Sequence, residues 1–226
     1  MWNLRLVFVL VPLFGACAAD NSLQAVLARV DSAAAKYKGM KASITKIAYL
    51  NAIKQSETDT GTVVARRSNP KDFRMLIAIG PPNPKKVLLA PTKAEVYYPG
   101  MNTVEEYELG KVSSMKDKLL LLSFGSTSKE LQSAYTVTSG PSETAGGMTA
   151  TRLDLVPRDK QLLAMYPKVQ LWIAEDTGIA VQQKLIEPTG DYNQATYTNI
   201  QLTNITDADL KLDIPKDAKR EKPLKR

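Results

Sequence analysis

The chain has 226 residues, is 44% hydrophobic and 23% charged, and carries 30 Lys and Arg against 23 Asp and Glu, a net charge of +7. That composition excludes wholesale disorder. There is no histidine, which removes Ser-His and Cys-His nucleophile pairs, imidazole bases and His-ligated metals. The single cysteine, Cys17, leaves no intrachain disulfide and no thiolate metal cluster.

Residues 1–18 read as an export leader. Arg5 supplies the positive start, Leu6 to Phe14 the apolar run, and Gly15, Ala16, Cys17, Ala18 and Ala19 a small-residue exit before Asp20. The uncharged stretch is shorter than the roughly 20 apolar residues that span a bilayer. Two processing routes are open: ordinary cleavage after Ala18, or lipidation of Cys17 at the lipobox-like Leu13-Phe14-Gly15-Ala16-Cys17. Residues 19–226 then form a single domain, since no repeat or linker divides them.

A helix opens the mature chain. Leu23, Val26, Leu27, Val30, Ala34 and Tyr37 make one apolar stripe at helical spacing, with Asn21 or Ser22 to cap it and Gly39 to stop it. Strands are expected at 42–50, 60–67, 73–79, 85–90, 94–98 and 103–109, separated by Gly, Pro, Asn and Ser turns. A helical interlude at 112–132 follows, containing Leu119, Leu120, Leu121, Leu122 and then Phe124. Four successive leucines cannot all face one core, so this segment is either buried between layers or an apolar plug over a cavity. Further strands are expected at 134–138, 148–156, 168–174, 179–187 and 193–203. About eleven short strands without βαβ alternation predict a mainly β, antiparallel sheet curved into a barrel or half-barrel.

No motif for catalysis emerges. Gly146-Gly147 lacks the helix and Lys-Ser/Thr of a phosphate loop. Glu105-Glu106 and Glu175-Asp176 are adjacent pairs that point to opposite faces or sit in a turn, which makes poor acid/base dyads. The expectation is therefore a non-enzyme without cofactor or metal. Of the +7 charge, +4 lies in residues 216–226, and no basic stripe with interleaved aromatics crosses the body, so nucleic acid is not expected as a partner. The basic tail is either a solvated end or a contact to anionic lipid.

Taken together, leader, amphipathic helix, six strands, Leu-rich insert, five strands and Pro-Lys tail resemble the periplasmic lipoprotein carriers of the Lol system, LolA and LolB. The residues carrying the resemblance are Lys41-Ala42-Ser43-Ile44-Thr45-Lys46; Gly61-Thr62-Val63-Val64-Ala65-Arg66-Arg67 with Pro70 and Phe73-Arg74; Val96-Tyr97-Tyr98-Pro99; and Leu210-Lys211-Leu212-Asp213-Ile214-Pro215-Lys216-Asp217. The resemblance implies an unclosed eleven-stranded half-barrel whose concave apolar face is covered by the N-terminal helix and a helical lid. It also implies a monomeric periplasmic carrier that takes acylated lipoproteins or lipids from an inner-membrane donor complex to an outer-membrane acceptor. A LolB-like acceptor anchored through Cys17 and a half-barrel sensor that docks another envelope protein are the alternatives. By motif match, Arg67 becomes a lid latch, the alternative being an exposed strand-end arginine, and Leu119–Leu122 with Phe124 become the lid. Strand parity assigns Met75, Ile77, Leu88, Tyr97, Tyr107, Leu155 and Trp172 to the acyl groove.

Overall fold

The computed structural model describes residues 21–69, 72–109, 122 and 124–222. Cys17 and Leu119, Leu120 and Leu121 lie outside them, as does most of the expected 112–132 helix. Helix α1 (Leu23–Lys36) starts where the sequence places it, with the Ser22 hydroxyl accepting from Ala25 N–H at 3.3 Å. It ends differently. Tyr37 takes an extended conformation and closes the helix, and Gly39 is not left-handed. Gly39 is required for proximity instead: a Cβ there would stand 2.8 Å from the Ala65 carbonyl and 2.5 Å from Ile205.

Twelve strands form one open sheet among the described residues. They are β1 (Met40–Leu50), β2 (Gln55–Asn69), β3 (Asp72–Ile79), β4 (Lys85–Leu89), β5 (Lys93–Tyr98), β6 (Thr103–Glu108), β7 (Tyr135–Ala145), β8 (Met148–Pro157), β9 (Lys168–Ala174), β10 (Ala180–Ile186), β11 (Tyr192–Leu202) and β12 (Lys219–Glu221). Their order is β12-β6-β5-β4-β3-β2-β1-β11-β10-β9-β8-β7, so the sheet never closes on itself. The architecture is the expected mainly β, unclosed half-barrel with helices on its concave face. All neighbours pair antiparallel except the last, because β12 runs parallel along the β6 edge. Among the described residues two short helices follow, α2 (Ser128–Ala134) and α3 (Lys160–Met165). A single 3-10 turn, Pro99–Met101, joins β5 to β6.

Pairing registers define the two faces. Across β1 to β6, Met40, Ala65, Met75, Leu89, Ala94 and Tyr107 stand level, and the next row is Ala42, Val63, Ile77, Val87, Val96 and Glu105. Because side chains alternate along a strand, both rows share the face on which Phe124 packs, and that face is concave. On the convex face the chain from Thr203 onward runs back over β1 to β6 as a strap. Polar contacts hold it: Asp207 to Arg66 at 2.7 Å, Asp209 to Lys41 at 2.6 Å, the Asp213 carbonyl to Lys86 at 3.3 Å, and Arg220 to Glu95 at 3.0 Å.

Candidate functional site

The concave face has two halves. Over β7 to β10 it is filled. Val26, Leu27 and Val30 of α1 pack with Leu131 of α2, Leu153, Leu155, Leu171 and Ile173 into one buried cluster that also receives Leu122. The space left beneath α1, between Val30, Tyr37, Leu122 and Leu171, is about 20 Å³, which is room for one water and not for an acyl chain.

Over β1 to β6 the cover thins from one side to the other. Phe124 is fully buried against Phe73 and Tyr197, with ring centroids 5.6 and 5.5 Å apart, and seals the β1–β3 end. Beyond it Ile77, Val87, Ala94 and Val96 are only half-buried, and Tyr107 is 37% exposed. This is an apolar strip on the inside of a curved sheet, continuous with the core. Its outer end is polar, since the Tyr98 and Tyr107 hydroxyls both donate to Glu105 Oε2, at 3.3 and 2.6 Å. The hydrogen bond to Glu105, with burial second, pushes the Tyr107 phenol up to about 12.

Arg67 and Gly125 sit between the two halves. Arg67 shares the concave face with its partner Phe73 on β3, and its side chain is only 6% exposed. Its Nη1 donates to the Gly125 carbonyl at 2.7 Å and to Glu130 Oε2 at 3.1 Å, and its Nη2 reaches Glu130 Oε1 at 2.5 Å. Gly125 holds φ +71° with the Tyr37 ring 2.7 Å from where a Cβ would be, so only glycine presents that carbonyl here. Glu130 also completes a capping box, accepting from Thr127 N–H at 2.9 Å while the Thr127 hydroxyl caps α2. Burial works against its charged form, but Arg67 and Thr127 outweigh that and hold the carboxyl below the usual range. The Tyr37 phenol, raised by burial and then by Tyr197, stays protonated and donates to the Ala65 carbonyl at 3.4 Å. A solvent-open cleft of about 500 Å³, lined by Asp31, Tyr37, Arg67, Gly125 and Glu130 among others, lies beside this clasp.

Of the residues assigned to the groove by parity, Met75, Ile77, Tyr107 and Leu155 face the concave side. Met75 is buried with Phe124, Ile77 and Tyr107 belong to the open strip, and Leu155 is locked into the filled half. Leu88, Tyr97 and Trp172 do not line the groove. Leu88 pairs with Leu76 and Glu95 on the convex face, one residue out of phase with Leu89. Tyr97 likewise turns outward, donating to Asn102 Oδ1 at 3.3 Å. Trp172 lies on the convex face with Ala150, Ala174 and Val181, its indole donating to Glu143 Oε2 at 2.9 Å. Parity within a strand fixes which residues share a face, but only the pairing with neighbours fixes which face that is. Sequence reasoning missed Val87, Ala94 and Val96, and it missed Glu130, whose signal was the Thr127-x-x-Glu130 spacing of a capping box. Of the expected lid, Leu122 enters the filled half and Phe124 the β1–β3 core, so this short segment plugs both.

No family model matches the chain, and no curated protein does. Among solved structures, an uncharacterized conserved protein from Thermus thermophilus is 14% identical, with 88% of this chain and 98% of that chain covered and a TM-score of 0.56. MucB is also 14% identical, at a TM-score of 0.53 over 84% of this chain, which spans 62% of the length of MucB. The fold is shared with both. A LolA superfamily protein from Nitrosomonas europaea overlays at 10% identity and a TM-score of 0.41, covering 84% of this chain and 98% of that one. Among the described residues no helix is long and apolar enough to cross a membrane.

Proposed function

We propose that the protein is a periplasmic carrier that binds the acyl chains of lipoproteins or lipids on its concave face and releases them to the outer membrane. It does this by burial alone, without covalent chemistry, cofactor or metal. The observation that carries the reading is the strip Ile77, Val87, Ala94 and Val96, half-exposed on the inside of the sheet beside the Phe124 plug. An acyl chain in water costs about 0.8 kcal/mol for each exposed CH₂, so transit through an aqueous compartment requires such a surface.

The clasp is the release device. Phe124 fills the β1–β3 end against Phe73 and Tyr197, and the space beneath α1 is only about 20 Å³, so a chain longer than the open strip is seated fully only when Phe124 moves. Arg67 opposes that movement through the Gly125 carbonyl. A ligand that occupies the strip displaces Phe124, and reclosure of the clasp expels the ligand, so that delivery needs no energy source.

The test is binding and stopped-flow release of a fluorescent acyl probe by the wild type and Arg67→Leu. The variant is expected to keep the fold by circular dichroism and to hold the probe longer, with release slowed about tenfold, the effect of about 1.4 kcal/mol of clasp energy. Probe binding and release identical in the two proteins would overturn the clasp. Absence of probe binding in both, with no acylated molecule co-purifying from the periplasm, would overturn the carrier. Mass spectrometry of the mature N-terminus separates a free shuttle, starting at Ala19, from a Cys17-anchored acceptor.

A further inference from the structure

Among the described residues, large apolar side chains that reach solvent are concentrated at one end of the sheet. Eight are exposed among the described residues, and six of them, Leu50, Ile53, Met101, Val156, Leu163 and Met165, lie at the end of the strands opposite the clasp. The registers fix that end. Leu155 stands level with Ala48 through the pairings of β9, β10 and β11, so Val156 and α3 emerge beside the β1–β2 turn. The β5–β6 turn carrying Met101 is at the same end, two strands from the β3–β4 turn. Of the remaining two, Leu202 pairs with Met40 at the opposite end and Tyr107 is on the concave strip.

The six form three points: the β1–β2 turn, the β5–β6 turn, and α3 with the end of β8. At strand spacing the outer two lie roughly 19 Å along the sheet on either side of the first. Each has an exposed lysine close in the chain or fold: Lys54 in the first turn, Lys219 hydrogen-bonded through its backbone to Asn102 in the second, and Lys160 at the start of α3. The central point is braced. Asn51 N–H donates to Asp191 at 2.6 Å and its side chain to the Thr189 carbonyl at 2.8 Å. Directly above it Tyr49 and Tyr192 stack at 4.8 Å, with the Lys184 ammonium 3.6 Å from the Tyr192 ring centre.

A protein partner calls for one contiguous apolar core with a polar rim. Separated apolar points, each with an amine, and a tyrosine pair above the central one match the layering of a bilayer surface: hydrocarbon, aromatic residues at the headgroups, cations against anionic lipid. We infer that this end docks the protein on an anionic bilayer, Leu50 and Ile53 entering the headgroup region first. The inference rests on the carrier reading, for which it supplies the surface that approaches the membrane.

The test uses vesicles of phosphatidylethanolamine and phosphatidylglycerol. Ile53→Trp is expected to be quenched by brominated acyl chains in these vesicles, and Leu202→Trp, at the other end, is not. The pair Leu50→Ser and Ile53→Ser should lower vesicle partitioning about tenfold while acyl-probe affinity and thermal unfolding stay at the wild-type level. Vesicles of neutral phosphatidylcholine should bind several-fold less. Equal partitioning of the wild type and the double variant, or equal quenching at 53 and 202, would overturn the docking surface. So would a wild type that ignores vesicles but self-associates in sedimentation velocity through the same two residues, which would make this end an interface between copies. Vesicle binding that depends on Leu50 and Ile53, by a protein that takes no acyl probe, would sustain the docking surface and remove the carrier.

Discussion

The two halves of the concave face are built from the same strand chemistry and serve opposite ends. Over β7 to β10, Leu153, Leu155 and Leu171 are completely buried because α1 lies on them. Over β3 to β6 the equivalent inward positions, Ile77, Val87 and Val96, keep part of their surface in water. A sheet hydrophobic on one face has to cover it, and here the described residues cover only half of it completely. On the proposed carrier reading, stability belongs to the filled half and binding to the open one. Each can therefore be damaged without the other.

The largest effect separates them directly. Leu153→Ala and Leu171→Ala should each lower unfolding free energy by about 2–5 kcal/mol, read by denaturant melts, since no relaxation fills a hole under a packed helix. Ile77→Ala and Val87→Ala should cost only about 1 kcal/mol, because those side chains were never fully removed from water, yet they should weaken acyl-probe binding several-fold. Equal destabilisation in both halves would erase the distinction.

The boundary between the halves should respond to acid. The Glu130 carboxyl is held below its unfolded value near about 4.3, so its contribution is complete above that pH and lost as pH falls through the lower folded value. Probe release should slow in that acidic window, as in Arg67→Leu, and Glu130→Gln should make release nearly independent of pH. An unchanged pH profile in that variant would place the titrating group elsewhere. The smallest effect lies at the open end of the strip. Replacing Glu105 with Gln removes the charge that holds the Tyr107 proton, and ultraviolet titration should show that phenol moving from about 12 toward the ordinary value near about 10, with unfolding unchanged within about 0.5 kcal/mol.

Most of the fold could be read from the chain. The α1 stripe and eleven strands follow from periodicity and turn residues, and the missing pieces have specific reasons. The start of β2 is Gln55-Ser56-Glu57-Thr58-Asp59, polar on both faces, so no alternation announces it. Helix α3 is six residues long, shorter than the window in which a helical stripe is visible. Strand β12 pairs through three residues, Lys-Arg-Glu, whose composition reads as a solvated tail. The site was less legible. Arg67 followed from a motif and stands beside Gly125. Leu88, Tyr97 and Trp172 were assigned the wrong face because inside and outside are properties of the whole sheet. Several of these strands are apolar on both sides, the convex side being overlain by the returning C-terminal strap.

One consequence of Glu130 concerns inheritance more than chemistry. The same carboxylate ends the α2 backbone and grips Arg67, so one codon carries two duties. A substitution there frays the start of the helix and loosens the clasp together, whereas a change at Arg67 loosens the clasp and leaves the helix capped. If the contact governs release as proposed, that tuning is free to drift on the β2 side and is pinned on the α2 side.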